Sequence, residues 1–174
     1  MTKTKRLVYL SLMVSQSLVL YIVESFLPPI SFIAPGAKLG LANIITLSVL
    51  YISGFRDALA VLGMRIFISS MFGGGFSAFL YSISGGILGL LAMGITKKFH
   101  KLDISIVGVS VSGALFFNIG QMLAAALIIQ NLAILVYLPI LSYVSVGTGI
   151  FVGIVAKFMV ERMSFMNFAT KKIK

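Results

Sequence analysis

Pro35-Gly36-Ala37-Lys38-Leu39-Gly40-Leu41-Ala42-Asn43 opens as a loop and closes inside an apolar run. It sets a lysine, two helix-loosening glycines and an asparagine where a hydrophobic helix begins. Similar runs without a charge recur along the chain, whose 174 residues are 59% hydrophobic with a mean hydropathy of +1.10. A soluble domain of this size has too little interior for so much apolar surface, so the runs read as membrane spans. In lipid every backbone polar group must be satisfied internally, which leaves helices or a closed barrel. The runs are mostly about 15–25 residues long and lack strict alternation, so the pattern predicts helices.

Outward from that stretch, the chain reads as one all-α integral membrane domain, residues 1–174. Six transmembrane helices are expected at about 7–27, 39–54, 58–72, 76–96, 104–129 and 137–163. Pro28-Pro29 stops the first helix. Gly54-Phe55-Arg56-Asp57 is a short turn, Gly73-Gly74-Gly75 a flexible break or a hinge for a lid, and Lys97-Lys98-Phe99-His100-Lys101 a basic loop. Pro139 suits the first turn of the last helix, where its missing N–H does no harm. An even number of spans puts both termini on one side. Lys3, Lys5, Arg6, Arg56, the Lys97–Lys101 loop and the Lys171-Lys172-Ile173-Lys174 tail all share that side, and the positive-inside rule makes it cytoplasmic. The first apolar run lacks a small-residue cleavage site before a polar mature domain, so a retained helix of a multi-pass cell-membrane protein is expected.

The net charge of +10 sits at helix ends and tails, which argues against a nucleic-acid partner. The absence of cysteine removes disulfides, thiolate catalysis and cysteine-held metals. The four acidic residues, Glu24, Asp57, Asp103 and Glu161, are scattered over different helices and depths. Mg²⁺-diphosphate chemistry needs clustered carboxylates. With no Asp-Asp-x-x-Asp cluster, no metal-spaced histidines and no nucleophile–base pair, neither an enzyme nor a bound cofactor or metal is expected. No Gly-Lys-Ser/Thr follows the triple glycine, so energy for transport would come from a partner or an ion gradient.

Depth in the bilayer follows from counting at 1.5 Å per residue. Arg65 lies eight positions past Asp57, roughly 12 Å in and near the midplane. Asn118 and Gln121 lie roughly 20–25 Å from the cytoplasmic start of their helix, in the outer half. Asn43 and Tyr81 fall at similar outer depth, Glu24 near the outer end of the first helix, and Lys38 at the rim. An intramembrane arginine costs about 2.5–3.5 kcal/mol to insert unless it pairs or meets water. Arg65 therefore reads either as an anion-binding group, with Lys38 as a second cation at the mouth, or as a structural arginine bonded to carbonyls or to Asn118. Asn118 and Gln121 read as ligand contacts or as interhelical hydrogen bonds. Glu24 reads as an interfacial carboxylate or a partner for Lys38 rather than a proton carrier. The candidate ligand-binding set is Lys38, Asn43, Arg65, Tyr81, Asn118 and Gln121. Gly85, Gly86 and Gly89, and Gly108, Gly113 and Gly120, permit close helix packing, and Ser11 and Ser15 form a small-xxx-small pair able to dock another helix.

The stretch Pro35–Asn43, with Gly54-Phe55-Arg56-Asp57, Arg65, Tyr81-Ser82-Ile83-Ser84-Gly85-Gly86, and Gly108-Val109-Ser110 through Gly113-Ala114 to Asn118-Ile119-Gly120-Gln121, resembles the heptaprenyl diphosphate synthase component I family, also called the Gx transporter family. That family in turn resembles the S components of energy-coupling factor (ECF) transporters. The resemblance implies a six-helix S-component-like bundle with a ligand in its outer half and a docking face on the first helix, where Ser11 and Ser15 stand in place of alanines. It implies ECF transmembrane and ATPase subunits as partners, or a prenyl synthase or flavoprotein. The expected function is a membrane-embedded substrate-binding subunit for uptake of a small anionic, isoprenoid-, quinone- or flavin-related molecule. The alternative is a non-transporting partner of a prenyl diphosphate synthase or of quinone and flavin extracellular electron transfer. A purely structural membrane protein is the third reading.

Overall fold

The computed structural model describes residues 3–26, 40–71, 75–99 and 104–172. They form α1 Lys3–Phe26, α2 Asn43–Ile52, α3 Phe55–Ser69, α4 Gly75–Lys98, α5 Ile106–Ile129, a 3-10 segment Leu132–Tyr137 and α6 Leu138–Lys172. There is no strand among the described residues. Lys38 and the rest of Pro35–Leu39, Pro28-Pro29, Gly73-Gly74, His100, Lys101 and Asp103 lie outside the described residues.

Among the described residues, four stretches are long and apolar enough to cross a membrane: Lys3–Phe26, Phe76–Lys98, Ile106–Ile129 and Leu132–Ser164. The molecule is an all-α membrane protein. Set against the expectation of six spans, α2 has 10 residues and α3 has 15. At 1.5 Å per residue they rise roughly 15 and 22 Å, short of the ~30 Å hydrocarbon core. What α2 lacks in length it makes up in position. Asn43 through Leu50 are all buried. A helix that is apolar all round is one enclosed by others, and α2 packs against α1, α3, α4 and α6.

The other half is a tight stack with α5 between α4 and α6. Small residues set its spacing. A Cβ on Gly120 would stand 2.6 Å from the Ser84 carbonyl oxygen, and one on Gly149 would stand 2.7 Å from the Val111 Cα. Backbones this close gain packing contacts that lipid tails cannot replace. Gly108 plays no such part, because its nearest neighbour is Ile104 of its own turn.

The ends of the helices follow local rules. Gly54 takes φ 97°, a conformation that L side chains rarely adopt, and so lets α2 turn into α3 across Ser53-Gly54 alone. Ser105 caps α5 by accepting from the Gly108 N–H at 3.2 Å. Gln130, left-handed at φ 55°, closes the same helix, and the Asn131 side chain then accepts from the Ala133 N–H at 2.9 Å. Arg6 of α1 is ion-paired with Asp57 in the first turn of α3, where its Nε donates to Oδ1 at 3.1 Å.

Candidate functional site

Arg65 is 5% exposed on α3. It lines a cavity of about 10 Å³, room for about one water. Tyr21 and Glu24 of α1, Gly40, Ile66 and Ser69 of α3, Ser82 of α4 and Phe117 of α5 complete the wall. The guanidinium lies in the field of the Glu24 carboxylate and beside Tyr21. A buried cation is tolerated in lipid when an anion or dipoles accompany it, and α1 supplies one.

Glu24 is 8% exposed and has a second task. Its two carboxylate oxygens accept from the Gly40 N–H at 2.6 Å and the Leu41 N–H at 3.1 Å. These are backbone donors just ahead of α2, which no helix carbonyl would otherwise satisfy. The carboxylate thus ties the entry of α2 to α1 and faces Arg65 at once. Gly40 sits at φ 79°, and a Cβ there would come within 2.8 Å of the Asn43 amide nitrogen. The glycine is needed both for its backbone conformation and for the approach of Asn43.

Among the expected ligand-binding residues, Arg65 lies on this cavity. Asn43 is buried one turn from it, beside Gly40, to which its N–H donates at 2.8 Å. Tyr81 is half-buried on α4, while its neighbour Ser82 reaches the wall. Asn118 turns toward α6: its Nδ2 donates to Ser145 Oγ at 2.6 Å, and that hydroxyl donates to the Leu141 carbonyl at 2.6 Å. The preceding residue, Phe117, faces the cavity. Gln121 lies at the α4–α5 crossing against Gly85. Asn118 Oδ1 and Gln121 Oε1 are buried without a hydrogen-bond partner among the described residues. Lys38 lies outside the described residues. Ser11 and Ser15 are exposed on the outer face of α1, with the Ser15 hydroxyl donating to the Ser11 carbonyl at 3.0 Å.

Tyr21, Glu24, Ser69, Ser82 and Phe117 are wall residues that the sequence does not single out as ligand contacts. One signal was available. Ser17, Tyr21 and Glu24 follow helical spacing along one face of α1, and Ser17 and Glu24 are buried there.

A larger cavity of about 630 Å³ lies near the opposite end of α3. Leu50, Phe55, Leu91, Gly94 and Ile95 form its apolar wall, with Arg56, Lys97 and Lys98 around them. Lys97 donates from Nζ to the Leu50 carbonyl at 2.7 Å and lies 4.6 Å from the centre of the Tyr51 ring. It satisfies a carbonyl that the end of α2 leaves open.

With this geometry in place, residues 13–159 match the family described as heptaprenyl diphosphate synthase component I, and the chain belongs to that family. The match takes in α2 to α5, most of α1 and α6, and both cavities. No curated protein and no solved structure matches the chain at a significant level.

Proposed function

We propose, from membership of this family and the compartment around Arg65, that the chain is a membrane-embedded ligand-binding subunit, S-component-like, that takes up a small acidic molecule. The observation that carries the reading is a buried arginine, 5% exposed, whose balancing carboxylate also fastens the entry of α2. In this state Glu24 occupies the place an incoming acid needs. A ligand carboxylate or phosphate would replace it on Arg65, freeing the Gly40 and Leu41 N–H groups to become donors to the same ligand. In this reading the basic ends, Arg6, Arg56, Lys97 and Lys98, lie on the cytoplasmic side and the Arg65 compartment faces the exterior. Isoprenoid, quinone-related and flavin-related acids are the candidate classes. Ser11 and Ser15, exposed on α1, would face the ECF transmembrane and ATPase subunits.

The test is mass spectrometry of small molecules that co-purify with the wild type and with Arg65→Lys, which keeps the charge but loses the planar fork. An acidic compound near one per chain in the wild type, reduced at least about ten-fold in Arg65→Lys, is expected. Equal recovery from the two proteins places the ligand elsewhere.

A second reading rests on the family's own description. As a synthase component I, the chain would be a membrane partner of a prenyl diphosphate synthase, or of a flavoprotein in quinone-linked electron transfer. A pull-down from native membranes separates the two. ATPase subunits support the uptake reading, while a synthase or flavoprotein without ATPases supports the partner reading.

A further inference from the structure

The cavity beside Arg56, Lys97 and Lys98 is a separate site from the Arg65 compartment and shares no lining residue with it. Its composition is unusual for a surface hollow. Three cations stand around an otherwise apolar wall, and no lining residue is acidic among those described. The nearby Asp57 is already engaged by Arg6, and consecutive residues on a helix do not share a face, so Asp57 does not neutralise Arg56. Lys97 spends one of its three donors on the Leu50 carbonyl. Arg56 and Lys98 are exposed. The floor is Phe55 lying on Gly94, where a Cβ would stand 3.0 Å from the ring.

The cavity is also placed at a boundary. It opens beside the first turn of α3 and the last turn of α4, where an apolar span gives way to charge. Cations at such a boundary attract anionic headgroups. A volume of about 630 Å³ falls within the range that small-molecule sites occupy. A simple anion would use the cations and leave Leu91, Ile95 and Phe55 without a purpose. An apolar molecule would use the wall and leave the charges unpaired.

We propose that this cavity binds an amphiphile with a phosphate or diphosphate head and an apolar tail, the head held by Arg56, Lys98 and the free donors of Lys97, the tail against Phe55, Leu91 and Ile95. Two sources share this chemistry: an anionic phospholipid of the surrounding leaflet and an isoprenoid diphosphate. Both meet the same three cations, and arginine presents the planar fork that phosphate oxygens accept.

The test uses the full chain in nanodiscs of phosphatidylcholine doped with phosphatidylglycerol, followed by native mass spectrometry. Three variants accompany the wild type: Arg56→Gln/Lys98→Gln, Ile95→Trp and Arg65→Lys. Ile95 is 56% exposed, so tryptophan fills the cavity without entering the core. Retained phosphatidylglycerol should fall at least about ten-fold in the first two variants and stay unchanged in Arg65→Lys. Farnesyl diphosphate and inorganic diphosphate are then titrated against the lipid-loaded protein. Displacement by farnesyl diphosphate identifies an isoprenoid diphosphate as the ligand. Retention of phosphatidylglycerol against it identifies the leaflet lipid. Retention equal in all four proteins, or inorganic diphosphate displacing the lipid as well as farnesyl diphosphate does, overturns the proposal. Melting temperatures of the variants within error of the wild type exclude misfolding as the cause of a loss.

Discussion

The two cavities lie near opposite ends of α3 and treat positive charge in opposite ways. At Arg65 the space is about 10 Å³, and a carboxylate of the chain itself faces the guanidinium. At Arg56, Lys97 and Lys98 the space is about 630 Å³, and no acidic residue lines it among the described residues. The difference is one of dielectric. A charge deep among helices loses its water, so the fold has to bring the counter-charge with it. A charge at a membrane boundary keeps its water and its freedom, and its counter-charge can come from outside the chain. The deep arginine should therefore count mainly toward stability until a ligand arrives, and the boundary cations mainly toward binding.

The largest effect that would test this contrast is Arg65→Ala. Leaving the buried Glu24 carboxylate without the Arg65 charge is expected to cost about 3–5 kcal/mol, read from reversible unfolding of the protein in detergent micelles. A loss near zero would mean that the deep site is already wet and that the contrast is mistaken. Glu24→Gln comes next, at about 1–3 kcal/mol, because the amide keeps a single acceptor oxygen for the two N–H groups of Gly40 and Leu41 and no longer balances Arg65. A double-mutant cycle between the two positions should return a coupling of roughly 0.5–3 kcal/mol, and additivity would show that they do not communicate.

Lys97→Met is an intermediate case, since Lys97 belongs to the open cavity but bonds to the fold. Loss of its bond to the Leu50 carbonyl is expected to lower stability by about 0.5–1.5 kcal/mol, along with a drop in retained anionic lipid. The smallest effect on unfolding is expected from Arg56→Gln/Lys98→Gln, within about 0.5 kcal/mol of the wild type. That same variant should show the greatest loss of lipid retention, and in the wild type the retention itself should weaken as salt is raised. A double variant that unfolds as easily as Arg65→Ala would erase the distinction between the two ends.

Much of this was legible in order along the chain. Charge-free runs identified a helical membrane protein, and Gly54 marked the turn into α3, although the helix begins at Phe55 and takes in Arg56 and Asp57, which the sequence places in the turn. Counting residues gave Arg65, Asn43, Asn118 and Gln121 expected positions along their helices. Counting does not give rotation about the helix axis. Each step along a helix turns the side chain by roughly 100°, so Phe117 faces the Arg65 cavity while Asn118, one residue on, bonds to Ser145 of α6. Glu24 was harder still. Its partners, the Gly40 and Leu41 N–H groups, lie 16 and 17 positions away, and only the packing of α2 against α1 brings them into reach.

By itself, then, the sequence determined the class of solvent this chain lives in, the helical form of its runs and the points where they break. These depend on local composition, and lipid penalises any unsatisfied backbone group wherever it occurs. Only the tertiary structure decided that α2 is a short helix enclosed by its neighbours, that Glu24 lies close enough to answer Arg65, and that three cations gather around one apolar hollow. Those outcomes depend on which faces meet, and facing is settled by the fit of all the helices together, glycine against backbone and charge against charge, rather than by any one of them.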